Sequence, residues 1–108
     1  MELSEYQRLS RSTAQYPRQE ALTYPALGLA GEAGEFADHA KKVIRDDDGV
    51  VSAERREAMA KELGDVLWYV AQLSTELGLD LDEIAQQNLE KLLSRQKRGV
   101  LAGSGDDR

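Results

Sequence analysis

Four carboxylates supply the first chemical lead. Glu32 and Glu35 stand three residues apart, and Glu62 and Asp65 repeat that spacing farther along the chain. On a helix such pairs share a face. Either pair alone reads as a solvated helix face, because 20 of the 108 residues are Asp or Glu and most such groups sit in water. Their positions relative to Gly49 change that reading. Glu35 and Glu62 are nearly equidistant from this glycine, and so are Glu32 and Asp65. At about 1.5 Å of rise per residue, a helical hairpin folded near Gly49 brings both pairs to one height within a fraction of a turn. Four carboxylates so gathered repel one another unless protonated or neutralised by a cation. Oxygen-only ligands select a hard ion. Mg²⁺, which keeps several waters and also binds phosphates, is the first expectation, and Mn²⁺ the second.

The same stripes carry further candidates. Gly28, His39 and Lys42 share the face of Glu32 and Glu35, while Tyr69 and Gln72 share that of Glu62 and Asp65. Lys42 is the cation available to a phosphate there, and Tyr69 the ring available to a base. His39 stands about a turn beyond Glu35 and reads as a packing or surface histidine rather than a ligand. Trp68 and Tyr69 are open to two readings, stacking on a base or filling the core, and for Trp68 core or subunit contact is the favoured one. Nearer the C-terminus, Asn88, Lys91 and Arg95 are spaced three and four apart. Reflection through Gly78 and Leu79 brings this amide and these cations near the level of Glu62 and Asp65. The competing reading is that basic residues late in a helix complement its dipole and need no ligand.

Helices must position all of these groups. Ser4 and Gln7 have capping-box spacing and open a segment that Pro17 stops, predicting a helix from Ser4 to about Gln15. From about Leu22 to Arg45, the residues Leu22, Ala26, Leu29, Ala33, Phe36, Ala40 and Val43 alternate in steps of four and three, the apolar seam of a packed helix. Pro25 is tolerated in its first turn. Asp46 to Gly49 form the break. Ser52 is the expected N-cap of a third helix with the seam Met59, Leu63, Val66, Val70, Leu73 and Leu77, ended by Gly78. Asp80 and Glu83 make an acidic capping box for a fourth, which carries Leu81, Ile84, Ala85, Leu89 and Leu92 and runs to about Lys97. The expected fold is all-α: an antiparallel bundle of about four helices in a single domain, residues 1–98, with a Gly-rich tail at 99–108. The tail combines Val100 and Leu101 with glycines and Arg108. It is expected to pack near the site of its own or a neighbouring subunit and offer donors there; a frayed terminus is the alternative.

Composition sets the outer limits. A formal charge of −6 argues against broad binding to nucleic acid or an anionic membrane. The chain has no cysteine, which removes disulfides and thiolate ligands. No apolar run resembles a signal peptide or a membrane span, so a cytoplasmic location is the default expectation.

The run Gly28-Leu-Ala-Gly-Glu32-Ala-Gly-Glu35-Phe36, followed by Lys61-Glu62-Leu-Gly-Asp65-Val-Leu-Trp-Tyr69 and Asn88-Leu-Glu-Lys91-Leu-Leu-Ser-Arg95, resembles the MazG-like nucleotide pyrophosphohydrolases. The likeness spans at least residues 22 to 98. It implies that Glu32, Glu35, Glu62 and Asp65 form the metal-binding and catalytic set, that Tyr69 lies beside the nucleotide, and that Asn88, Lys91 and Arg95 contact substrate. Gly31 stands where many members carry a further Glu, as in the branch resembling all-α deoxycytidine triphosphatases, which leaves open whether one ion or two act. The resemblance also implies a homodimer or homotetramer.

The implied activity is Mg²⁺-dependent hydrolysis of a nucleoside triphosphate to monophosphate and pyrophosphate, with a house-cleaning role. Phosphoribosyl-ATP pyrophosphohydrolase is a second enzymatic reading that shares the carboxylates. A non-catalytic helical interaction module is the reading of a different class. A di-iron bundle is disfavoured, because the Glu-x-x-His spacing it needs is absent.

Overall fold

The computed structural model describes residues 1–108 and is all-helical, as expected. Its elements are α1 (Leu3–Ser10), short 3₁₀ turns at Arg11–Thr13 and Arg18–Glu20, α2 (Thr23–Asp46), α3 (Ala53–Glu76) and α4 (Leu81–Arg98). Helices α2 and α3, 24 residues each, pack on one another along their length and form the hairpin that carries the acidic motifs.

Local chemistry fixes the ends of this hairpin. Pro25, in the first turn of α2, is fully buried. At the far end Asp48 and Gly49 adopt φ values of 54° and 75°, a left-handed conformation that Gly accepts freely and Asp tolerates. The Gly49 N–H donates to the Val43 carbonyl at 3.0 Å. Ser52 is the N-cap of α3, accepting the Arg55 N–H at 3.1 Å, and the Arg55 side chain donates to Asp47 at 3.2 Å across the turn. The reversal therefore falls where the sequence placed it.

Helix α1 departs from expectation. It begins at Leu3 after the N-cap residue Glu2 and ends at Ser10, giving way to a 3₁₀ turn well before Gln15. Ser4 and Gln7 form no capping box. Instead the Ser4 hydroxyl lies 2.6 Å from an Asp80 oxygen and 2.5 Å from one of Asp82, its single proton serving one at a time. The Gln7 amide donates to Thr75 at 3.0 Å and to the Leu79 carbonyl at 2.9 Å, and its oxygen accepts the Leu81 N–H at 2.8 Å. These polar residues satisfy the α3–α4 turn, a tertiary use that outweighs a local cap. Asp80 does cap α4, through the Asp82 N–H at 2.8 Å.

A second polar anchor lies at the end of α3. The Glu76 carboxylate accepts from Arg18 at 2.7 and 2.9 Å, from Arg11 at 2.9 Å and from the Tyr16 hydroxyl. Tyr16, itself buried, stacks on Tyr24. The irregular segment between α1 and α2 is thereby tied to α3.

Helix α4 packs chiefly on α1, leaving much of the expected apolar seam uncovered. Eight residues are buried, too few for a closed core. Leu63, Leu89 and Leu92 remain 56, 50 and 41% exposed. The radius of gyration is 16.7 Å, against about 13 Å for a compact domain of this length. The four helices are present, but the turn of α4 onto α1 keeps one chain from closing a four-helix core.

Hydrogen bonds from Arg18 and Tyr16, with Arg11 adding to them, hold the Glu76 carboxyl far below the usual carboxylate range. A depressed folded-state pKa contributes stability that is complete above the unfolded value and is lost as pH falls toward the folded one. Glu76→Gln should therefore lower Tm at neutral pH by roughly 4–8 °C. It should also flatten the loss of stability below about pH 4.3. Thermal melts of both proteins between pH 2 and 8 check this; parallel curves would remove Glu76 from the acid response.

Candidate active site

The hairpin brings three of the four expected carboxylates together. One oxygen each from Glu32, Glu35 and Glu62 lies within 4.8 Å of the others. Glu32 and Glu62 are half-buried and Glu35 is exposed. Asp65 is also exposed and lies outside this tight group, while its charge still acts on Glu32, Tyr69 and Tyr6.

As carboxylates, Glu32 and Glu62 cannot hydrogen-bond to each other, and the buried Oε2 atoms of both have no partner. An unpaired buried charge is strongly unfavourable. A proton shared between them relieves the conflict. Accordingly Glu32 is pushed up to about 7, first by the hydrogen bond with Glu62, then by burial and by the charges of Glu35, Asp65 and Glu62. A hard divalent cation would relieve the same conflict without a proton, and three convergent carboxylate oxygens are the donor set it takes.

Aromatic rings flank the acidic group. The Tyr69 ring lies against Gly28 so closely that a Cβ there would stand 2.3 Å from it. Burial raises the Tyr69 pKa, followed by the fields of Tyr24, Glu32 and Asp65. Trp68 meets Tyr69 edge-on with ring centres 5.0 Å apart, and its indole N–H donates to Thr13 at 2.8 Å. Tyr16 meets Trp68 edge-on at 6.5 Å and stacks on Tyr24 at 5.5 Å. Trp68 is thus part of an aromatic cluster, while Tyr69 both packs in that cluster and feels the charges of Glu32 and Asp65.

His39 sits closer to this chemistry than its place in the sequence suggested. Its Nε2 is 4.0 Å from Glu62 Oε1, and Arg55 lies 3.1 Å from Nδ1. A guanidinium can only donate, so Nδ1 accepts and the ring proton is on Nε2, facing Glu62. The stripe spacing pointed to His39, whereas the role of Arg55 required the fold. Lys42 pairs with Asp38 at 2.9 Å on its own helix.

Asn88, Lys91 and Arg95 share α4, whose main packing partner is α1, so packing within one chain does not set them over the carboxylates. Asn88 and Lys91 line a groove of about 350 Å³ with Ile84, Gln87 and Asp106. Lys91 binds Asp106 at 2.8 Å, and Arg95, 4% exposed, donates to the Asp106 carbonyl. Asp106 was not singled out by the sequence; its separation from Lys91 by a helix end conceals the contact.

Comparison with known proteins identifies the family to which this all-helical hairpin with facing acidic motifs belongs. Residues 19–100 match the model of the MazG nucleotide pyrophosphohydrolase domain. The chain belongs to this family. It is also 48% identical over 114 residues to the Gene 37 protein of Mycobacterium phage L5, with both chains covered completely. No solved structure matches.

The Gly28–Tyr69 contact gives a test in which two effects have opposite signs. Alanine in a helix interior is favoured over glycine by about 1 kcal/mol, but overpacking costs about 1–3 kcal/mol. Gly28→Ala should destabilise the protein and change the near-ultraviolet dichroism of Trp68 and Tyr69. Gly31→Ala, with no neighbour within 4 Å of the added atom, should not destabilise it. Equal melting temperatures for the two variants would contradict the packing of Tyr69 described here.

Proposed function

We propose that this protein hydrolyses a nucleoside triphosphate to the monophosphate and pyrophosphate, using Mg²⁺ held by Glu32, Glu35, Glu62 and Asp65, with Mn²⁺ as a substitute. The observation that carries the reading is the convergence of Glu32, Glu35 and Glu62, with two buried oxygens lacking partners, in a MazG-family chain. When bound, the ion would neutralise the triphosphate and lower the pKa of an attacking water.

The residues of the chain account for the remaining steps. A water oxygen forms a bond to the α-phosphorus while the α–β bridging bond breaks, and pyrophosphate leaves with the electron pair. One of Glu32 and Glu35, acting as base instead of as ligand, takes the proton of the water. His39, through its Nε2 proton, faces the Glu62 carboxylate and helps fix it. Tyr69 lies beside the nucleotide, and Lys42, Asn88 and Lys91 supply polar contacts to it; Arg95, expected from the sequence to join them, is buried and supports them from beneath. A homodimer or homotetramer covers the apolar seam that one chain leaves open and brings an α4 stripe to a carboxylate cluster. The physiological reading is house-cleaning of a cytoplasmic nucleotide pool, with neither nucleic acid nor membrane as partner. No helix is long and apolar enough to cross a membrane.

The decisive experiment is a panel of nucleoside triphosphates with Mg²⁺, together with phosphoribosyl-ATP, in which monophosphate and pyrophosphate products are identified. Glu62→Gln and Asp65→Asn should each reduce turnover by about 100-fold or more while keeping the helical fold. Mg²⁺ should raise Tm for the unaltered protein but not for Glu62→Gln, which should itself be more stable than the unaltered protein in chelator because one repelling charge is gone. Near-normal turnover of either variant at saturating Mg²⁺ would refute the metal site.

A further inference from the structure

The C-terminal segment is a built loop. Helix α4 ends at Gly99, whose φ of 73° is the left-handed conformation of a helix stop, and the Val100 N–H returns to the Arg95 carbonyl at 2.9 Å. From there the chain winds around the Arg108 guanidinium. That group donates to the carbonyls of Val100, Leu101 and Gly105 at 3.2, 2.7 and 2.7 Å. Arg98 reaches the Arg108 carbonyl at 2.7 Å. Arg95, almost fully buried, donates to the Asp106 carbonyl. The loop is thus closed on itself and fastened to α4 through main-chain acceptors.

This fastening leaves the Asp106 side chain free for another purpose. It is 81% exposed, and Oδ1 receives Lys91 at 2.8 Å and Arg95 at 3.3 Å. The carboxylate therefore sets the position of the Lys91 ammonium at the groove lined by Ile84, Gln87, Asn88, Lys91 and Asp106. A lysine head on a flexible stem loses rotamer freedom when it engages a ligand, and a carboxylate that already holds it removes part of that cost. One acceptor leaves two of the three ammonium protons available to an anion.

We infer that Asp106 is a positioning residue for substrate: through Lys91 it pre-orients the cation that meets the phosphates of a nucleotide, making the C-terminal loop part of the binding site. This rests on the proposed triphosphate substrate and on the proposed assembly that brings α4 to a carboxylate cluster. Arg95 acts from beneath, as the anchor of the loop, and Arg108 is its internal brace. The main-chain bonds do not depend on the Asp106 carboxylate, so Asp106→Asn retains the loop while weakening its hold on Lys91.

The test is calorimetric binding of a non-hydrolysable α,β-methylene nucleoside triphosphate with Mg²⁺ to the full chain, alongside steady-state kinetics. Asp106→Asn should weaken triphosphate binding about tenfold and raise KM more than it lowers kcat. Its affinity for Mg²⁺ alone should be unchanged, and Asp106→Glu should recover most of the triphosphate affinity. Lys91→Gln should weaken binding at least as much, and the double variant should be little worse than Lys91→Gln alone, because Asp106 acts only through Lys91. Unchanged or tighter triphosphate binding by Asp106→Asn overturns the inference; tighter binding would identify the carboxylate as a competitor of phosphate. Additive losses in the double variant also overturn it. Absence of any triphosphate binding by the unaltered protein would instead refute the proposed substrate, and this inference with it.

Discussion

Two buried oxygens with nothing to bind, Glu32 Oε2 and Glu62 Oε2, are the constraint around which the hairpin is organised. Bringing two carboxylates into a partly dry interface is unfavourable by several kcal/mol unless a proton or a cation intervenes. The helices carrying them must therefore be held together elsewhere. One end is fixed by the Asp48–Gly49 reversal, the Ser52 cap and the Arg55–Asp47 bond. Toward the other end the Tyr16–Tyr24 stack ties the segment before α2 to α2 itself, and the charge-assisted bonds to Glu76 tie it onto α3. The stabilising interactions lie at the ends and the repulsion lies between them, so the ends sustain a charge conflict that a proton or a cation would relieve.

Much of this was legible in the residues because it depends on local rules. Equal distances from Gly49 brought Glu32, Glu35 and Glu62 to one level, since rise per residue is nearly constant in a straight helix, but height alone does not fix direction, and Asp65 stays outside the tight group. Ser52 and Gly78 acted as the expected helix punctuation. Ser4 and Gln7 misled for a physical reason: a capping-box pattern specifies donors and acceptors but not their partners, and the α3–α4 turn offers them a tertiary alternative. His39 and Asp106 were harder to read still. The former depends on Arg55 from the next helix to orient its ring, and the latter meets Lys91 only after the chain reverses at Gly99.

The placement of α4 connects fold and chemistry. Its N-terminal end is seated through Asp80, Asp82 and the Leu81 N–H on the polar side chains of α1. Along the rest of its length Leu89, Leu92 and Leu93 face solvent at 50, 41 and 53% exposure. Continuous apolar surface of this kind marks a surface that requires cover. The Asn88–Lys91–Arg95 stripe lies on the same helix, so whatever packs against the leucines also decides what this stripe is brought beside. In the proposed assembly one burial event then serves both purposes: it closes the hydrophobic seam and sets cations beside carboxylates. Electrostatics favours that arrangement, because a chain of formal charge −6 needs local cations to receive a polyanionic substrate. Arg95 and Arg108 are committed to the terminal loop, leaving Lys91 as the cation of that stripe held at the edge of a groove.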